Sequence, residues 1–253
     1  RDTSMLNKKI LLFCSCFLLW VGLKAQQADN KLWVNFALKV PVSEKFSYGG
    51  DAGFRQILSE GNWKQFLIRP SVTYRMDPVF ALGGALAYFK TYSGNAANLN
   101  EFRIHQEANM NWPDFGFARL SFRLRLEERF FVYQDLPDNF SLRIRFLAQA
   151  RTRDLTFLGD RRPVYFKFIF EGFEALNQKD ALEFFVDNTR MHLAFGHRLS
   201  PAWRYEFHYI RQQSRLVSTG SLTLDQNIFR LRVFYTLFEK DSVLPEMEDP
   251  EIE

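Results

Sequence analysis

The chain has 253 residues, with 33 Lys and Arg against 29 Asp and Glu, and a formal net charge of +4. Hydrophobic residues make up 47% and Phe alone counts 28, while the 13 Gly and 9 Pro sit at breaks rather than in repeats. Fibrous and low-complexity classes are thereby excluded, and one folded domain is the expectation.

Residues 1–4 precede Met5, which reads as the true start. Lys8 and Lys9, an apolar run from Ile10 to Leu23 and the small Ala25 follow, the pattern of a secretory signal peptide over residues 1–25. The run is short of the roughly twenty residues that a membrane helix needs, and no later stretch approaches that length. Both cysteines, Cys14 and Cys16, lie midway in the apolar run, which disfavours a lipoprotein anchor. Cleavage after Ala25 leaves a chain without disulfides or thiol chemistry.

From there the chain alternates with period two, the signature of strands with two unlike faces. Leu32, Val34, Phe36, Leu38 and Val40 alternate with Trp33, Asn35, Ala37 and Lys39. Phe46–Leu58 follows the turn PVSEK. In Trp63–Arg75, Phe66, Ile68, Val72 and Tyr74 oppose Gln65, Arg69, Ser71, Thr73 and Arg75. Val79–Lys90 sets Phe80, Leu82, Leu86 and Tyr88 against the small Ala81, Gly83, Ala85 and Ala87, which predicts spare room on that wall. Glu101–Trp112 sets Glu101, Arg103, His105, Glu107 and Asn109 against Phe102, Ile104, Ala108 and Met110.

The clearest ribbon is Ala118–Val132, ARLSFRLRLEERFFV, with Arg119, Ser121, Arg123, Arg125, Glu127 and Arg129 on one face and Leu120, Phe122, Leu124, Leu126, Phe130 and Val132 on the other; Glu128 alone breaks the pattern. Its length exceeds the usual strand of about five or six residues and suits a tilted membrane strand, which needs roughly nine to eleven. Phe140–Arg151, Val164–Phe173, Phe184–Leu199, Trp203–Gln212 and Leu224–Phe238 complete eleven ribbons. Breaks alternate between short (Asp77-Pro78, Trp112–Gly116, Ser200-Pro201) and long (Ser93–Asn100, Gln134–Asn139, Ser214–Ser221), as periplasmic turns and external loops do in bacterial barrels.

The expected fold is therefore all-β: a closed antiparallel up-and-down transmembrane β-barrel over residues 26–238. Even strand counts are the rule for single-chain bacterial barrels, so ten to twelve strands are expected and twelve is favoured, with a missed strand in Asp154–Gly159. The tail 239–253, rich in Asp and Glu, reads as disordered. The competing reading, a soluble β-sandwich, would bury the apolar faces instead.

Several segments resemble one family: Trp33, Arg55, EFRIHQE at 101–107, RLRLEERF at 123–130, SLRIRF at 141–146, Glu171, DNTRMHLAFGHRLS at 187–200 and QNIFRLRVFY at 226–235. Together they are similar to domain-of-unknown-function family 2490 over about Trp33 to Phe238. The resemblance implies a barrel in the outer membrane and transfers no catalytic residues.

The predicted inward face carries Arg103, Arg119, Arg123, Arg125, Arg129, Arg143, Arg145, Arg151, Lys167, Arg190, Arg204, Arg230 and Arg232 against Glu101, Glu107, Glu127, Glu171 and Glu206. Pairing across neighbouring strands would brace a narrow lumen. The surplus of bases would favour anionic solutes in a water-filled one. His105 and Ser121 are the nearest approach to a barrel lipid hydrolase or deacylase, but both read inward, and no enzyme is expected. Histidine spacing predicts no metal, and nothing in the chain calls for a cofactor. Arg residues interleaved with Phe and Leu on an exported chain argue against nucleic acid. Outward Tyr48, Tyr74, Tyr88, Trp112, Trp203, Tyr205 and Tyr235 suit membrane-interface belts.

The expected role is that of a narrow channel for small, anion-leaning solutes in the outer membrane of a Gram-negative bacterium. The alternative is a closed structural or binding barrel. The partners are outer-membrane lipid and the outer-membrane insertion machinery, which would read the aromatic end of the last ribbon.

Overall fold

The computed structural model describes residues 28–59, 62–94, 98–113, 116–134, 136–156, 162–177, 187–215 and 222–237. The signal peptide expected over 1–25 and the acidic tail over 239–253 lie outside the described residues.

The eleven ribbons are eleven strands: β1 (Asp29–Pro41), β2 (Phe46–Ile57), β3 (Lys64–Arg75), β4 (Phe80–Tyr92), β5 (Leu99–Asn111), β6 (Ala118–Tyr133), β7 (Asn139–Thr152), β8 (Val164–Ala175), β9 (Asp187–Arg198), β10 (Trp203–Arg215) and β11 (Leu222–Thr236). Each pairs antiparallel with its sequence neighbour, and β1 closes the ring against β11. That seam is parallel, from Asp29↔Gln226 to Lys39↔Thr236.

Twelve strands were favoured on the sequence; the described strands close at eleven. The reason is the parallel seam, which lets an odd ring satisfy its edge groups without a further strand. Of the proposed extra strand, residues 157–159 lie outside the described residues, and Leu155 makes an isolated bridge to Val164. An odd count also puts the start of β1 and the end of β11 at opposite rims. One rim, here the loop rim, carries the connections 58–63, 93–98, 134–138, 176–186 and 216–221. The turn rim carries 42–45, 76–79, 112–117, 153–163 and 199–202. The connection 153–163 is the longest of that rim; in its first part Asp154 makes ion pairs with Arg151 (2.5 Å) and Arg198 (3.6 Å).

The alternation decides which face is which. Phe36, Phe66, Ile68, Leu86, Phe102, Leu124, Phe168 and Phe207 point outward and are exposed. Arg123, Arg125, Glu127, Arg145, Glu171, Glu206 and Arg232 point inward and are buried. This inverts the soluble sandwich. The apolar clusters in the lumen are small: Trp33 with Ile210 and Ile228, and Leu67 with Ala87 and Phe89.

One local irregularity shapes the N-terminal wall. Pro70 has no N–H to give to a ladder, and β3 makes no paired contact with β4 at positions 69 and 70. Opposite Pro70 stands Gly50 with φ of 142°, where a Cβ would lie 2.1 Å from the Arg69 carbonyl oxygen. Only glycine fits this close backbone approach. The same register sets Asp51 directly against Arg69.

Candidate functional site: the charged lumen

Successive inward positions on neighbouring strands set the charges in register. Arg125 stands across from Glu107 on β5 and Arg145 on β7, and Glu127 across from Arg143. Because Arg offers five donors and a carboxylate about four acceptor sites, a few acids can hold many bases. Glu127 accepts from Arg143 (2.5 Å) and Arg145 (2.7 Å), with Arg125 at 3.5 Å and Arg103 at 3.9 Å. Glu171 accepts from Arg145 (2.5 Å) and Arg123 (3.1 Å), with Arg190 at 3.7 Å. Glu107 accepts from Arg125 (2.7 Å) and Asn109 (3.2 Å). These groups pack against one another in the lumen at mid-strand level of β5–β8, and Arg125, Glu127 and Glu171 are among the most deeply buried side chains.

A second knot lies nearer the turn rim. Glu206 accepts from the Tyr165 hydroxyl (2.5 Å) and pairs with Lys167 (3.0 Å) and His208 (2.9 Å), with Arg204 at 3.7 Å. Arg232 stands across the ladder from Glu206. Gly196 allows this packing, since a Cβ there would meet the Tyr165 ring at 2.2 Å.

Above the mid-strand plug, at the loop rim, lies a cavity of about 450 Å³ whose wall includes Trp63, Ser93 and Leu136 from that rim. Its charged lining is lopsided. Lys31, Arg55, Arg69, Arg103, Arg129, Arg143, Arg145, Arg190 and Arg230 face it, and among the described residues Glu101 is the one acid of the lining. Glu101 accepts from Arg103 (2.6 Å) and Arg129 (2.7 Å), and Asp51 takes both Arg69 donors at 2.7 Å. Aromatic rings hold the guanidinium planes: Arg55 over Trp33 (4.0 Å), Arg103 over Phe89 (3.9 Å), Arg129 over Phe131 (4.5 Å), and Arg190 over Phe173 (4.7 Å).

Of the charges singled out in the sequence, Arg123, Arg125, Glu107, Glu127 and Glu171 build the plug, while Glu101 faces the chamber and Lys167 joins the lower knot. Arg103, Arg129, Arg143, Arg145, Arg190 and Arg230 line the chamber, of which Arg143 and Arg145 also reach the plug. Arg204, Glu206 and Arg232 belong to the lower knot. Arg119 is half-buried at the turn rim opposite Arg151. Arg55 was absent from that ladder and Asp51 escaped notice, because the glycines of FSYGGDAGFRQI blur the alternation. Position counting along the strand could have found them. The inward aromatics Phe89, Phe131, Tyr165 and Phe173 were missed because aromatics read as outward; parity with Ala87 for Phe89, with Arg129 for Phe131 and with Lys167 for Tyr165 and Phe173 was the available signal.

One expectation is corrected. The wall at Ala81–Ala87 is not open, because the Glu107 side chain lies over Gly83, 2.7 Å from where a Cβ would sit. His105 and Ser121 do not meet: His105 stands across from Glu127 and Ser121 from Asn111, six positions apart on the ladder. Among the described residues no group of three or more His, Cys, Asp or Glu is arranged to hold a metal ion.

A closed β-barrel with a charged, packed lumen and an apolar outer wall is the class of protein this geometry defines. The family described as Protein of unknown function (DUF2490) matches residues 30–223, and the chain belongs to that family. No curated protein matches the chain. Among solved structures, the anion-selective porin from Comamonas acidovorans matches with 16% identity and a TM-score of 0.33, over 75% of this chain and 53% of the porin, so the chain spans about half of the porin's length.

Proposed function

We propose that the chain is an outer-membrane β-barrel of a Gram-negative bacterium that works as a closed binding barrel: it admits small anionic solutes at the loop rim and stops them at mid-strand. The observation that carries this reading is the buried Arg–Glu plug beneath a basic chamber of about 450 Å³. A positive concave wall of low dielectric attracts anions. A bore filled by paired side chains does not conduct them.

The outer wall supports the membrane placement. Rows of exposed Phe, Leu and Ile are costly in water and favourable in hydrocarbon. A closed ring leaves no edge unpaired in lipid. Aromatics gather near both rims, as interfacial belts do: Trp203 lies 4.6 Å from Tyr235 and 6.3 Å from Phe36 toward the turn rim, and Tyr88 lies 5.1 Å from Phe102 toward the loop rim. The partners on this reading are outer-membrane lipid, the insertion machinery and small anions. Enzymatic activity, metal and nucleic acid have no part in it.

A narrow anion channel is the second reading. The excess of Arg along the bore favours it, but conduction requires the plug to part. Membrane placement is tested by cell fractionation with gel migration before and after boiling. An outer-membrane protein whose migration shifts on boiling is expected; a soluble periplasmic protein with unchanged migration would sink the proposal.

A further inference from the structure

We infer that the chamber binds a polyol carrying an oxyanion, a sugar phosphate or sugar acid, and that Arg55 receives the charged group. This deepens the reading of the lumen as a closed binding chamber and rests on it.

Arg55 differs from its neighbours. Arg69 is held by Asp51, and Arg103 and Arg129 by Glu101. Among the described residues no carboxylate lies within ion-pair distance of Arg55; its one hydrogen bond runs from Nη1 to the neutral Gln65 Oε1 at 3.1 Å. Its Nε is buried without a partner, and so is the indole Nε1 of Trp33, the ring on which Arg55 stacks. Both residues line the chamber. Four other bases, Arg69, Arg103, Arg190 and Arg230, line the same chamber.

Arg55 is half-buried, and a guanidinium edge whose Nε is withdrawn from water without a partner is costly, the more so among other bases. A carboxylate or phosphate presents the geometry that an Arg edge takes in two parallel hydrogen bonds. Stacking on Trp33 fixes the plane of that edge. The body of the ligand follows from size and lining. A volume of about 450 Å³ falls in the range of roughly 300–1,000 Å³ for small-molecule sites, far more than a bare ion fills. Around the arginines the wall offers neutral hydrogen-bonding groups, Asn35, Gln65, Thr91 and Gln212, which suit hydroxyls.

The test is calorimetric titration of the full purified protein, folded in detergent, with four probes of one pyranose body: glucose 6-phosphate, glucuronate, glucose and glucosamine. The two anions are expected to bind, and the neutral and cationic sugars not. Arg55→Gln is expected to weaken anion binding by about thirtyfold or more. Arg55→Lys should restore only part of it, while Arg162→Gln at the exposed turn rim should change nothing. Heat-modifiable migration reports folding of each variant, and Trp33→Phe, which removes the unpaired indole N–H and keeps a ring, provides a second probe of the site if Arg55→Gln does not fold. Binding of glucose as tight as that of its phosphate, no binding of either anion, or unaltered affinity in Arg55→Gln would overturn the assignment. Absent binding in a barrel that also fails to conduct removes this inference alone. Anion binding in a barrel that conducts steadily removes the closed-barrel reading instead.

Discussion

At the scale of single residues, the lumen is held by acids that are each shared among several arginines. Glu127 is the clearest case, with Arg143 and Arg145 both within 2.7 Å. Removing one member of a buried ion network leaves its partners charged and uncompensated, a loss of about 3–5 kcal/mol. Glu127→Gln is therefore expected to lower stability by that order in urea unfolding from detergent or vesicles. Arg143→Gln should cost less, since Glu127 keeps Arg145. Equal small losses in both would mean that the network contributes little. Gly196 makes a steric case: Gly196→Ala should drive the Tyr165 ring away from Glu206, with an overpacking cost of about 1–3 kcal/mol. In the double variant with Tyr165→Leu the two losses should be less than additive; strict additivity would remove the steric explanation. Most of these charges were legible in the sequence, since parity alone placed Arg123, Arg125, Glu127 and Arg145 inward. Their grouping into a plug and a chamber was not. Register across strands such as Arg125↔Arg145 and Glu107↔Arg125 depends on turn geometry and strand stagger, which alternation does not specify.

At the scale of the strand, one-dimensional alternation carries two-dimensional information. Leu124 and Arg125 are sequence neighbours, yet one is half-exposed on the outer wall and the other is 1% exposed within. Arg placed at Leu124 or Phe168 would face hydrocarbon on the membrane reading, and its insertion should suffer by about 2–4 kcal/mol if the site lies near the bilayer midplane. Arg at Ser121, whose hydroxyl accepts from the inward Gln149 at 3.2 Å, should be tolerated far better. Equal tolerance, scored by heat-modifiable migration of protein inserted into vesicles, would mean that the outer wall does not meet lipid. All eleven ribbons were visible as ribbons because each keeps its period over about a dozen residues. β2 was the least legible. Gly50 serves a backbone contact with β3 at Pro70, and Gly49 and Gly53 serve close approaches to β1, requirements of the neighbouring strands that β2 by itself does not display.

At the scale of the whole molecule, closure was the feature local pattern could not supply. Parity favoured an even ring, and the parallel β1–β11 seam makes an odd one. Val34 and Leu231 face each other across that seam. In a chain without Cys14 and Cys16, Val34→Cys with Leu231→Cys should cross-link on mild oxidation, while Val34→Cys with Leu193→Cys on β9 should not. No cross-link at the seam would favour an additional strand between β1 and β11. Closure also sets the bore, and the bore decides between storing a solute and passing it. The most direct measurement is single-channel recording of the purified protein in a planar bilayer with a salt gradient. No steady conductance is expected from a lumen plugged by Glu107, Glu127, Glu171 and their arginines. A stable ohmic conductance would contradict the closed barrel, and one that preferred cations would contradict the positive lumen as well.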